Sequence, residues 1–156
     1  MPHTVEMPPY VASDEAARLD MDVVHGFLAA SYWCRDIPRA LLEKAVANSL
    51  AFGVYDLSSA GARGAKGSQV GFCRLVTDRA TYAYLADVFI LESHRGRGLS
   101  KLMMKCVMSH PEVQGLRRWG LMTRDAHGLY SQFGFAPLAE PSRAMEIHKR
   151  NMYAKQ

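Results

Sequence analysis

Residues 86–91 form an apolar, strand-like run and residues 99–110 repeat apolar side chains at helical spacing, with Arg95-Gly96-Arg97-Gly98-Leu99-Ser100 turning one into the other. A strand that feeds through glycines into an amphipathic helix commits the chain to an α/β arrangement, because the helix must cross back over the sheet to bury its apolar stripe. The same turn is built to hold an anion. Glycines let backbone N–H groups close on a phosphate, the helix macrodipole adds partial positive charge, and Arg95 and Arg97 bring full charges. The turn lacks the Gly-x-x-x-x-Gly-Lys-Ser/Thr spacing of a P-loop, and Lys101 stands where a dinucleotide fingerprint needs its third glycine. ATP and NAD are both demoted as the phosphate-bearing ligand.

What remains is Arg/Gln-x-x-Gly-x-Gly/Ala at a strand-to-helix turn, with Arg95 and Gly98 at the first and fourth positions and Ser100 in the sixth, where Gly or Ala is usual. Downstream stands Asp125-Ala126-His127-Gly128-Leu129-Tyr130-Ser131-Gln132-Phe133-Gly134-Phe135. Its Ala126, Leu129, Tyr130 and Phe133 share one helical face, and Gly134 suits a left-handed C-terminal stop. The two segments resemble the acetyl-CoA pyrophosphate loop and the Leu-Tyr helix of the GNAT family of N-acetyltransferases. Carried over residue by residue, the resemblance implies that Arg95, Gly96, Arg97, Gly98, Leu99 and Ser100 bind the cofactor and that Tyr130 acts as general acid. Thr123 replaces the cofactor-contacting Asn found seven residues before that tyrosine, while the Ala four residues before it is kept as Ala126. Taken alone, Tyr130 also reads as one more core aromatic.

Along the chain, strands and helices alternate. Residues 10–13 are strand-like, and Asp20 can cap a helix reaching Ser31, with Val24, Phe27, Leu28 and Ser31 on its apolar face. Pro38 suits the first turn of a second helix carrying Leu41, Leu42, Ala45, Val46 and Ser49. Residues 50–56 read as a strand, and residues 57–68, with Gly61, Gly64 and Gly67, as a mobile hairpin loop. Residues 69–76 and 81–91 are long strands rich in β-branched and aromatic side chains, the centre of a sheet. The helix from Leu99 stops before Pro111, residues 119–123 form the next strand, and residues 135–138 and 144–148 are expected to close the sheet. The strand, helix, strand unit over residues 86–123 implies parallel pairing through a right-handed crossover. The whole predicts a single α/β domain over residues 1–156. The resemblance implies the GNAT acyl-CoA N-acyltransferase fold: a mixed central sheet of about six to seven strands with helices on both faces, splayed at the parallel pair to admit the cofactor.

Acetyl transfer to an amine asks for a neutral nucleophile, a polarised thioester carbonyl and a proton for the departing thiolate. A phenol of pKa about 10 is protonated at neutral pH and can donate to a thiolate whose conjugate acid lies near about 8.5, which suits Tyr130. The resemblance places a bulge in the strand of Val88, Phe89 and Ile90, so that unpaired amides face the thioester oxygen and the pantetheine arm. Asp87 falls where some members keep a carboxylate base, with Glu92 and His127 as poorer candidates. It reads equally as a strand carboxylate paired with Arg74 or Arg79. For the acceptor, the region between the first two helices supplies Tyr32, Trp33, Arg35 and Asp36, and the central strand supplies Tyr82 and Tyr84. Such an aromatic box suits an amine with an apolar body, or a cationic head held by cation–π contact, although Trp33 also reads as core.

The formal charge of +4 and pI of about 9.1 admit acidic partners. The basic residues gather at Arg95, Arg97, Arg117, Arg118 and Arg124, near the expected cofactor phosphates, and no basic and aromatic array of an RNA-binding strand surface is present, which argues against nucleic acid. With no apolar run of about eighteen residues and no basic-then-apolar leader at Met1, the expectation is a cytoplasmic protein without membrane contact. Cys34, Cys73 and Cys106 are odd in number and lack CxxC spacing, so they read as reduced and buried. The scattered histidines suggest no metal site. The expected activity is transfer of acetyl from acetyl-CoA to a primary amine of a small molecule by direct attack in a ternary complex. A protein or peptide acetyltransferase and a non-catalytic acyl-CoA-binding regulator are the alternatives, and a homodimer is compatible with each.

Overall fold

Six strands pair in sequence order, β1 (Thr4–Met7), β2 (Tyr10–Ser13), β3 (Leu50–Asp56), β4 (Ser68–Thr77), β5 (Tyr82–Ile90) and β6 (Arg118–Leu121), in a computed structural model that describes residues 1–59 and 66–155. Neighbours are antiparallel through β5, and β5 and β6 run parallel, from Tyr82 opposite Arg118 to Leu85 opposite Leu121. A tight turn cannot join parallel strands, so a helix must carry the chain back, and α3 (Leu99–Met108) does so. This is the mixed α/β sheet expected of the GNAT fold.

The strand period of two sorts side chains onto two cores. Phe52, Val54, Cys73, Leu75, Ala83 and Leu85 face Leu102, Met103, Cys106 and Val107 of α3, with Tyr130 of the short α4 (His127–Ser131) in the same cluster. On the opposite face, Phe72 and Phe89 meet Val24 and Leu28 of α1 (Met21–Ala30) and Leu42 and Val46 of α2 (Arg39–Ala47). Asp20 caps α1 as expected, its carboxylate accepting from the amides of Asp22 and Val23. All three cysteines are free and buried, as expected of reduced, apolar-like residues.

Two expectations need correction. Strand β1 was not anticipated, because its side chains are largely exposed and carry no alternation; its pairing with β2 across a turn holding the cis Pro8–Pro9 bond makes it a strand. Residues 135–138 and 144–148, expected to close the sheet, form no regular structure. Pro137 and Pro141 withhold backbone donors, and Met145 and Ile147 are each 96% exposed. The residues of the expected glycine-rich hairpin loop between 60 and 65 lie outside those described.

Two contacts give tests of this architecture. A Cβ added at Gly53 would clash with the Tyr55 hydroxyl oxygen, and Tyr55 is buried. Gly53→Ala is therefore expected to cost about 2 kcal/mol, read as a drop in thermal midpoint, and an unchanged midpoint would show that the packing around β3 relaxes freely. At the β4–β5 turn, the Asp78 carboxylate accepts from the amides of Ala80, Thr81 and Tyr82 and from the Thr81 hydroxyl. These bonds, the Thr81 hydroxyl first, hold its pKa well below the usual carboxylate value. Because the folded pKa is depressed, the contribution is present above the unfolded value of about 3.9 and fades as pH falls below it. Asp78→Asn should therefore lower stability in the neutral region and flatten the acid side of the profile, the two proteins converging at low pH.

Candidate active site

Opposite Cys73 of β4, strand β5 carries two residues, Asp87 and Val88, since Phe72 pairs with Phe89 and Arg74 with Ala86. This is the bulge that the resemblance implied. Such an insertion breaks the ladder and re-aims a side chain. Asp87 takes φ 57°, the left-handed region that a short polar side chain tolerates better than a branched one. Its carboxylate is bound on both oxygens: Arg74 Nε donates to Oδ2 at 2.6 Å and Trp33 Nε1 to Oδ1 at 3.1 Å. Arg74 Nη1 also donates to Ser49 Oγ at 3.0 Å. Of the two arginines considered from sequence, Arg74 is the partner, while Arg79 bonds Glu112.

Beyond the bulge the edge of β5 is open. Strand β6 ends at Leu121, opposite Leu85, so among the described residues no strand pairs with residues 86–90 on that side. Leu91 N donates to the Val70 carbonyl at 2.8 Å and Phe89 lies opposite Phe72. By antiparallel alternation, the Phe89 amide faces β4 while those of Val88 and Ile90 face the open edge. The Phe89 side chain goes to the α1 side, its ring stacked on Phe27 at 4.0 Å.

The chain leaves this edge through the 3-10 turn Glu92–His94 and enters the glycine turn. Gly96 and Gly98 have φ 76° and 77°, and Gly98 precedes α3 with no side-chain cap on the helix. The first-turn amides at Leu99, Ser100 and Lys101 thus have no intrahelical partner. Leu99 is buried and pins the helix to the core, so only its amide is on offer to a ligand. Two bonds brace the turn: Arg95 Nε donates to the Ile90 carbonyl at 3.1 Å, and Arg97 Nη1 to the Tyr10 hydroxyl at 2.7 Å. An uncapped helix start, two left-handed glycines and two arginines fit a pyrophosphate.

On the α3 side, α4 begins where Thr123 Oγ1 accepts from the Ala126 amide at 3.0 Å, which leaves the hydroxyl proton available to donate. Tyr130 is 7% exposed, its ring edge-on to Phe135 at 6.0 Å. Burial, with smaller contributions from Cys73 and Asp125, pushes its phenol up to about 12.

The aromatic residues lie on the opposite face. Trp33 is 42% exposed and not core, and it meets Tyr32 edge-on at 5.1 Å. Arg124 lies over the Tyr32 ring at 4.0 Å, a contact that no sequence spacing announces. Tyr84 points away from Ala83 and Leu85 to this same face; burial raises its phenol, with Tyr82 and Asp87 adding to the rise. The C-terminal residues 147–153, apart from Arg150, join Tyr32, Trp33, Cys34 and Arg35 around a cavity of about 370 Å³. Lys155 N donates to Asp36 Oδ2 at 3.1 Å and Tyr153 packs on the α1-side core, which holds this wall in place. Sequence reading missed the wall because it assigned residues 144–148 to the sheet.

Comparison with known proteins agrees with this geometry. Residues 60–137 match the family model described as an acetyltransferase (GNAT) domain. A candidate acetyltransferase of Gibberella zeae is 31% identical over 137 residues, spanning 79% of this chain and 76% of that protein. The crystal structure of a candidate GNAT acetyltransferase from Xanthomonas campestris pv. campestris superposes with a TM-score of 0.86 at 43% identity, covering 96% of this chain and 100% of that one. A candidate acetyltransferase from Deinococcus radiodurans R1, with a TM-score of 0.65 at 16% identity over 93% of this chain and 90% of its own, shares the fold. The matched segment takes in the glycine turn and the Tyr130 helix together, and the likeness to relatives extends along most of both chains: the protein belongs to the GNAT acetyltransferase family.

Proposed function

We propose that this chain transfers an acetyl group from acetyl-CoA, the co-substrate of its family, to the primary amine of a small molecule by direct attack in a ternary complex. The open, bulged edge of β5 running into an uncapped helix start is the observation that carries this reading. Arg95, Arg97 and the amides from Gly96 to Ser100 would hold the pyrophosphate, and the open edge at Val88 and Ile90 would take the pantetheine arm. When bound, acetyl-CoA supplies an activated acetyl thioester. The Val88 and Ile90 amides can then donate to its carbonyl oxygen from a fixed scaffold. Burial keeps the Tyr130 phenol protonated, so its O–H can donate to the departing sulfur. At about 12 the phenol lies above an ordinary thiol near about 8.5, which favours hydrogen-bond donation over completed proton transfer.

The cysteines, the chain's strongest nucleophiles, also support direct attack. Burial raises the pKa of Cys34, Cys73 and Cys106, so none offers a ready thiolate for an acetyl-enzyme. A cavity of about 370 Å³ suits a small acceptor. An amine panel assayed for thiol release from acetyl-CoA tests the reading. Amine-dependent release with intersecting double-reciprocal plots is expected; an amine-independent burst of thiol, or parallel plots, would overturn it.

Both Asp87 oxygens are engaged, which favours a positioning role that orients Trp33 over proton abstraction. Asn tolerates the same left-handed backbone, so Asp87→Asn isolates the charge. The expected outcome is a thermal midpoint lowered by about 2 kcal/mol of lost stability, since one partner of a mostly buried ion pair is removed, and a raised acceptor KM. The pH profile of kcat/KM should keep its rising limb. A limb that shifts or vanishes would make Asp87 the base.

A further inference from the structure

Resting on the acetyltransferase reading, we infer that the acceptor amine also carries an anionic group, set on an aromatic or apolar body, and that Arg35 and Lys149 recognise that anion across the cavity closed by the C-terminal segment. The cavity is walled by Tyr32, Trp33 and Ile147 and rimmed by Arg35, His148 and Lys149, and no carboxylate lines it. Among the described residues neither Arg35 nor Lys149 has an ion-pair partner, although Arg39, Arg74, Arg79 and Arg143 all do. The one acid beside Arg35 in sequence, Asp36, accepts the Lys155 amide. A cationic body is disfavoured, because the Tyr32 ring already carries the Arg124 guanidinium at 4.0 Å and the remaining full charges at the rim are positive.

The opposite end supplies the complement. Trp33 forms part of the cavity wall and donates its indole N–H to Asp87 at the β5 bulge, so the wall reaches the edge where the acetyl group would lie. An acceptor with its amine at the bulged edge and its anion toward Arg35 and Lys149 meets an opposite charge at the end away from the acetyl group. Its body would cover Trp33, Tyr32 and the fully exposed Ile147. An amino acid with an aromatic side chain has this chemistry, and its decarboxylated amine lacks only the anion.

Matched pairs test this without requiring turnover. N-acetylphenylalanine is expected to bind, by calorimetry with CoA present, at least about tenfold more tightly than N-acetylphenethylamine, and phenylalanine to show a similar advantage over phenethylamine in kcat/KM. In Arg35→Gln/Lys149→Gln the two products should bind alike, while the thermal shift given by acetyl-CoA stays as in the wild type. Equal or tighter binding of the uncharged product by the wild type would overturn the inference, as would a preference that survives the double substitution, or no binding of either product. The expected binding preference without thiol release from any amine would leave the acceptor class standing and remove the acetyltransferase reading instead.

Discussion

Gly98→Asp is expected to abolish the rise in thermal midpoint that acetyl-CoA gives the wild-type protein. A ligand that binds only the folded state at one hundred times its Kd stabilises by about 2.7 kcal/mol, or roughly 5–10 °C for a chain of this size. Gly98 has φ 77° at the uncapped start of α3. Asp accepts this backbone region better than most residues, and a negative charge is favoured at a helix N-terminus, so the variant should fold. Its carboxylate would occupy the place meant for phosphate and repel it. Gly98→Ala is the control, because its Cβ meets nothing within 4 Å and should keep binding at a modest cost in stability. A full acetyl-CoA shift in well-folded Gly98→Asp would remove the turn from the site.

Tyr130→Phe should lower turnover by about 10²-fold while acetyl-CoA affinity and thermal midpoint hold. The substitution deletes one hydroxyl and keeps the ring against Phe135, so little packing is lost. Because burial raises the phenol to about 12, the wild-type rate should show no loss from Tyr130 ionisation through neutral and mildly alkaline pH. Measuring kcat alongside CoA binding separates chemistry from docking. Equal turnover in the two proteins would make Tyr130 a core residue with water as the proton source.

Much of this protein is legible in its sequence because the relevant physics is local. Glycines at positions 96 and 98 allow left-handed backbone just ahead of a periodic helix, so the turn into an uncapped helix start follows from neighbours in the chain. Asp20 before α1, the long β-rich runs of β4 and β5, and the Leu129-Tyr130 helix ended by Gly134 are decided within a few residues in the same way. What tertiary structure decided involves partners far apart in sequence. Asp87 could pair with Arg74 or Arg79 until the bulge set it between Arg74 and Trp33, and Tyr32 became a cation–π platform only when Arg124 folded over it. Residues 144–148 read as a strand yet join no ladder, and Ile147 and His148 with the residues after them wall the cavity at Tyr32 and Trp33 instead. A strand exists only where another backbone accepts its hydrogen bonds, and a site of this kind only where distant side chains converge; neither condition is written in any short stretch of sequence.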